Sequence, residues 1–249
     1  MFREVFKKTS STHFIRNTPI VDWQKKFAEL AHDAKDQRIK QYYQNGIFTG
    51  DTPLKDIEFV ALDFETTGLN ANKDDIISVG LVPFTINRIF CKQSQHWVVK
   101  PKAKLDEDSV IIHGITHSDV QTAPDIRRIL EAVLDSLAGK VVVVHYKAIE
   151  RQFMDKALRV RLNEGIQFPV VDTLALESHI QTQQYSGFLA RLKGKKPGSV
   201  RLGKCRIRYG LPAYQPHHAL TDALATAELL QAQIAYHFTP DTPINQIWE

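Results

Sequence analysis

The sequence predicts an α/β domain with a mixed central sheet flanked by helices, preceded by an N-terminal helical extension. Two observations carry this prediction. Strand patterns come first as a meander and later alternate with helical ones. One of them, "KVVVVHY" at 140–146, is apolar on both faces, as a strand covered by helices on each side must be. At 249 residues the chain is long enough for a substantial core. The boundaries expected are an extension over 1–56, the α/β domain over 57–238 and a short tail over 239–249.

From Val21 to Tyr43, the apolar residues Trp23, Phe27, Leu30, Ala31 and Ala34 recur at helical spacing, and "QNGIFTGDTP" supplies terminators. "FVALDFETTGLN" at 59–70 opens as a buried strand. "DDIISVGLVPF" and "RIFCKQSQHWVVKP" are further strands, which makes the opening an antiparallel meander. "PDIRRILEAVLDSLAG" is an amphipathic helix with Pro124 near its start, Gly139 at its end, and Ile126, Ile129, Leu130, Val133, Leu134 and Leu137 on one side. After "KVVVVHY" come a helix in "AIERQFMDKALRVRL", a short strand in "FPVVDTLAL", and a closing helix in "HHALTDALATAELLQAQIAYHF".

The formal charge of +4 is a modest basic excess, compatible with a polyanionic partner. Cys91 and Cys205 are the only cysteines and lie near no His pair with metal-ligand spacing, so neither a disulfide framework nor a zinc site is expected. The N-terminal "MFREVFKKTSSTHFIRN" has no continuous apolar core, and no other run approaches the length of a membrane span. A soluble, cytoplasmic protein with no membrane partner is the expectation.

Three stretches carry candidate chemistry. In "FVALDFETT", strand alternation points Asp63 and Glu65 to one side and Val60, Leu62 and Phe64 to the other. Two like charges held together cost desolvation and repulsion unless a cation or shared proton compensates, and a divalent metal is the simplest resolution. If the strand ended at Leu62, both acids would instead be solvated in the "TTG" turn. Glu150 stands in the first turn of the helix leaving "KVVVVHY", where ligands of open α/β sheets gather. An acid there also simply complements the helix dipole. In "HHALTDALATAELL", Pro216 and its neighbours start the helix near Ala219, leaving His217 in the preceding loop and Asp222 in the first turns. A His beside a carboxylate-bound metal suits the activation of water, since imidazole titrates near neutrality. A loop histidine and a capping acid fit the same residues.

"DFETTGL", an acid in the first turn after "VVVVH", and "HHALTDA" resemble, in order and spacing, the three motifs of the DEDDh exonuclease family, which includes ribonucleases and polymerase proofreading subunits. "IHGIT" at 112–116 and "DTLAL" at 172–176 resemble two softer signatures of that family, and the resemblance covers roughly residues 57 to 235. It implies a ribonuclease H-like fold and metal-dependent 3′–5′ hydrolysis of single-stranded DNA or RNA ends, releasing nucleoside 5′-monophosphates. Carried onto this chain, Asp63, Glu65, Glu150 and Asp222 would hold two Mg²⁺ or Mn²⁺ ions and His217 would be the general base. Thr66, Leu69 and His113 would contact the terminal nucleotide. The partners implied are single-stranded 3′ ends and a polymerase or repair complex.

The chain departs from the family pattern where Glu150 stands in place of the usual Asp, Ile149 in place of Phe and Tyr146 in place of Asn. Asp155, the nearest alternative, lies about 140° further round the helix. The substitution at Glu150 keeps a second reading open, a nucleic-acid-binding or scaffold module with weakened catalysis. Between Arg191 and Arg208 the chain carries eight cations, Lys195 and Lys196 among them, and no Asp or Glu. This stretch is either a positive rim guiding a phosphate backbone or a solvated loop. The N-terminal helix has three open roles: covering the core, forming a homodimer or docking a larger complex.

Overall fold

The computed structural model describes residues 21–102, 114–185 and 196–249. The apolar run that holds the acid pair forms β1 (Phe59–Thr66), the central strand of a five-stranded sheet. β2 (Ile76–Phe84) pairs antiparallel with β1, and β3 (Gln95–Val98) antiparallel with β2. β4 (Val141–Val144) and β5 (Val170–Asp172) add in parallel on the other side, giving the order β3-β2-β1-β4-β5. The sheet is therefore mixed, a meander followed by parallel strands. All four valines of β4 are buried, as a strand covered on both faces requires.

The N-terminal extension is two helices rather than one, α1 (Trp23–Asp33) and α2 (Gln37–Gln44). The break comes at Asp36, whose carboxylate accepts the Arg38 N–H and starts the second helix. Trp23, Phe27, Ile39, Tyr42 and Tyr43 from this region are buried in the same hydrophobic cluster as β1 and β4. Each large apolar side chain so buried contributes roughly 1.5–3 kcal/mol, so the extension is held firmly against the domain. Ile244, Ile247 and Trp248 belong to that cluster too, and Glu249 exchanges two backbone hydrogen bonds with Val170. The segments on either side of the boundaries expected at 57 and 238 thus share one core.

Two strand expectations shorten. In "RIFCKQSQHWVVKP" a 3₁₀ turn at Cys91–Gln93 interrupts the pairing, and only Gln95–Val98 form β3. In "FPVVDTLAL" the strand stops at Asp172, whose carboxylate accepts the N–H groups of Leu174 and Ala175 and so caps a helix.

The helices behave as their periodicity demands. α3 (His117–Thr122) starts with a capping box between Thr116 and Asp119, and α4 (Ile126–Leu137) buries the six apolar residues of its stripe. α5 (Lys147–Leu162) leaves the end of β4, and α6 (Thr173–Tyr185) follows Asp172. α7 (Leu202–Arg208) precedes the closing helix α8 (Ala219–His237), which lies across β1 and β2. Among the described residues, no helix is long and apolar enough to cross a membrane.

Candidate active site

β1 continues through Thr66, so Asp63 and Glu65 are sheet residues, paired opposite Gly80 and Ser78 of β2. The turn begins only at Thr67, where the Thr67 N–H donates to the Asp75 carbonyl and the Asp74 carboxylate accepts the Asn70 N–H. Both acids share a face with Gly80, and that glycine brings the third element in. A Cβ at position 80 would stand 2.3 Å from the carbonyl carbon of Ala219, so backbone packs on backbone at the start of α8. Asp222, in the first turn of α8, is thereby set over the acid strand. Carboxylate oxygens of Asp63, Glu65 and Asp222 lie within 4.8 Å of one another.

His217 precedes α8 in a left-handed conformation, φ 68°, and its N–H donates to Oδ2 of Asp222 at 2.8 Å. The side chain is exposed at the rim of the acid group. His218 occupies the N-cap position, and its ring lies against that of His96 of β3, centroids 4.7 Å apart and tilted by 31°, while Ser78 Oγ and His96 Nε2 are 2.7 Å apart. Gly80 and His96 are direct cross-strand partners, so β2 and β3 together hold the loop that carries His217.

Glu150 approaches from α5. It is 2 % exposed, and its Oε2 has no hydrogen-bond partner among the described residues. Burial pushes its carboxyl well above the usual glutamate range, and the Asp172 carboxylate adds to this. Asp63 is pushed well above its usual range by burial and then by the charges of Glu150, Asp222 and Glu65. Burial also raises Asp222, against the hydrogen bond from the His217 N–H. Asp63, Glu65 and Asp222 form the close group, with Glu150 outside it but near enough for its charge to act on Asp63, and an all-carboxylate donor set of this kind could hold a hard divalent cation. Asp155 is engaged elsewhere, with Arg159 at 2.7 Å and the Ile166 N–H at 3.1 Å.

The turn that aims Glu150 is pinned from β5. The Asp172 carboxylate, 3 % exposed, accepts the Tyr146 N–H and the Lys147 N–H, both at 3.0 Å. Tyr146 itself sits at φ 95°, where a side chain bearing Cβ costs roughly 1–2 kcal/mol. Asp172, Gly80 and His96 are positions whose geometry was not read from the residues alone. The signals present were a lone glycine in an apolar strand and the acid that opens "DTLAL".

At the periphery, Leu69 is exposed beyond the end of β1, whereas Thr66 is buried and its hydroxyl donates to the Gly68 carbonyl. Lys196 is exposed, while His113 and Lys195 lie outside the described residues. Two members of the basic stretch make ion pairs within the protein. Arg206 is buried and bonded to Glu228 at 2.7 Å, and Arg208 reaches buried Glu177 at 2.9 Å.

The model of the exonuclease (RNase T) family matches residues 60–230, from the acid strand through α8. The chain belongs to the exonuclease (RNase T) family. It is similar to DNA polymerase III PolC-type of Thermotoga maritima, 29% identical over 180 residues, which are 72% of this chain and 12% of that polymerase. It is also similar to DNA polymerase III subunit epsilon of Treponema pallidum, 27% identical over 73% of this chain and 78% of that subunit. Among solved structures it shares the fold of the nuclease domain of 3′hExo, a DEDDh family member bound to rAMP, with TM-score 0.57 and 15% identity over 73% of this chain and 94% of that one. Exonuclease X in complex with 5′ overhanging duplex DNA gives TM-score 0.53 and 19% identity over 76% of this chain and 98% of that one. The architecture is thus ribonuclease H-like.

Proposed function

We propose that this protein is a metal-dependent 3′–5′ exonuclease that hydrolyses the 3′-terminal phosphodiester of single-stranded DNA or RNA and releases nucleoside 5′-monophosphates. The observation that carries the reading is the convergence of Asp63, Glu65 and Asp222 within 4.8 Å, beside a buried Glu150 oxygen that no group of the described chain satisfies. The four acids would hold divalent ions, two Mg²⁺ or Mn²⁺. Such ions, when bound, neutralise the scissile phosphate and acidify water.

The chain's own residues supply the rest. His217, exposed at the rim and held through its N–H by Asp222, takes the proton of the attacking water. The water oxygen bonds to phosphorus, the bond to the 3′ oxygen breaks, and that oxygen takes up a proton to leave a new 3′ hydroxyl. Thr66, Leu69 and His113 contact the terminal nucleotide, and Lys195 and Lys196 line the approach of the backbone. Association with a polymerase is part of the reading and draws on the polymerase III relatives, as does action in proofreading or repair in the cytoplasm.

A 5′-labelled single strand incubated with Mg²⁺ or Mn²⁺ tests this. The expected product is a ladder shortening from the 3′ end with mononucleotide release, abolished in Asp63→Ala. Binding without release in the wild type would favour the scaffold reading instead, and release surviving Asp63→Ala could not belong to this site.

A further inference from the structure

Tyr146 is a residue whose cost the described fold does not repay. It occupies the left-handed region at φ 95°, ψ 77°, a conformation that Gly or Asn adopts more cheaply. The residue is 49% exposed, and among the described residues its hydrogen bonds are made by the backbone, to Asp172 and Ile149. The backbone beneath it is nevertheless fixed, because buried Asp172 holds the N–H groups of Tyr146 and Lys147. A strained, exposed aromatic on a rigid turn points to a ligand that the ring contacts.

Its surroundings say which ligand. Tyr146 stands one helical turn before Glu150, at the end of β4, and β4 runs parallel and adjacent to β1. Leu69, 85% exposed, follows the end of β1, the strand beside β4. Asp63 and Glu65 lie on β1, the strand next to β4, and Glu150 follows Tyr146 in the first turn of α5. His145 Nε2 lies 3.0 Å from the Val200 carbonyl oxygen, which brings the 196–200 segment with exposed Lys196 alongside. An exposed planar aromatic one helical turn from an acid of the candidate site is a surface on which a base of a single strand can stack.

We propose that Tyr146 is a stacking platform for a nucleobase at or next to the 3′ end of the strand entering the acid cluster. This rests on the exonuclease reading. Because every base offers a π face, the contact requires a base but is tolerant of which one. It would give the site affinity for single strands without sequence readout.

The test measures KM and kcat of the full chain on a 5′-labelled single-stranded decamer, intact or with an abasic position at each of its last three nucleotides. Tyr146→Ala is expected to raise KM on the intact strand about tenfold, the scale of one base–aromatic stack. Tyr146→Phe and Tyr146→Trp keep KM within about twofold, since the ring and not the hydroxyl is used. Tyr146→Asn loses affinity like the alanine variant while raising Tm, because the left-handed turn is relaxed. One abasic position should cost the wild type the same factor and cost Tyr146→Ala little, so that the two changes are coupled. An alanine variant within twofold of wild type on the intact strand, failed rescue by Phe, or no coupling to the abasic position overturns the proposal while leaving the exonuclease reading intact. A wild type that neither binds nor shortens any strand overturns both.

Discussion

Glu150 and Glu177 are buried to the same degree, 2% and 1% exposed, and have opposite fates. Burial pushes the Glu177 carboxyl up, but hydrogen bonds from Gln233, Tyr209, Arg208 and Gln181 outweigh it and hold the group below its ordinary range. Glu150 has the same burial and no such set; Oε2 is unpartnered among the described residues, and the carboxyl is pushed up. The first acid is finished by the protein, joining α6 to α7 and α8. The second is left without a partner for its Oε2 among the described residues. A buried carboxylate is therefore a functional signal only when its oxygens are unsatisfied.

The comparison breaks if the two acids respond alike to removal. Glu177→Ala removes the acceptor shared by Arg208, Tyr209, Gln181 and Gln233, four hydrogen bonds at about 1 kcal/mol each, so stability should fall by about 3 kcal/mol. For a chain of this size that is a loss of roughly 10 °C in Tm, read by calorimetry. The response of the remaining folded protein to Mn²⁺ should be unchanged. A fall of less than a degree would mean that the Glu177 network is not structural.

Gly80→Ala sharpens the point from the other side. The added methyl meets the Ala219 backbone, so α8 must lift from β2, at a cost of about 1–3 kcal/mol. Because Asp222 and His217 travel with α8, hydrolysis should fall further than stability does, on the order of 100-fold for a displacement near 1 Å. Full activity in a folded Gly80→Ala would remove the close approach from the account.

Glu150→Gln has the smallest expected effect on stability, and the sign is the informative part. A carboxyl whose folded pKa is raised favours folding below its unfolded value, near 4.5 for glutamate, and that contribution is lost as pH rises through the folded value. The metal-free wild type therefore carries a penalty at neutral pH that the amide lacks. Glu150→Gln should be more stable than wild type at about pH 7.5, by on the order of 1 kcal/mol, with the difference closing as pH falls towards the ordinary carboxylate range. For Glu177, whose pKa is lowered, the linkage is reversed: its stabilisation is present above the unfolded value and lost as pH falls. Urea unfolding of metal-free protein across that pH window reads both.

Alternation alone put Asp63 and Glu65 on one face of a strand, and β1 carries them so; the all-apolar "VVVV" likewise became a doubly covered strand. The helix start at Ala219 followed from Pro216 and the polar residues before it. What escaped a reading of the residues was long-range. Gly80 matters because α8 arrives there from 139 positions along the chain, and Arg206 is buried away from the expected basic rim because Glu228 meets it in the folded chain. The break between α1 and α2 was local, but the helical period continues through Asp36 and conceals the cap. Periodicity reports which face is buried and not which partner waits there.

Glu150 is proposed to hold a divalent cation together with Asp63, Glu65 and Asp222. Calorimetric titration of metal-free protein with Mn²⁺ at neutral pH tests it most directly, comparing wild type with Glu150→Gln. The account predicts saturable binding by the wild type and at least tenfold weaker or fewer-site binding by the variant. Identical isotherms, or no binding by the wild type, would contradict it.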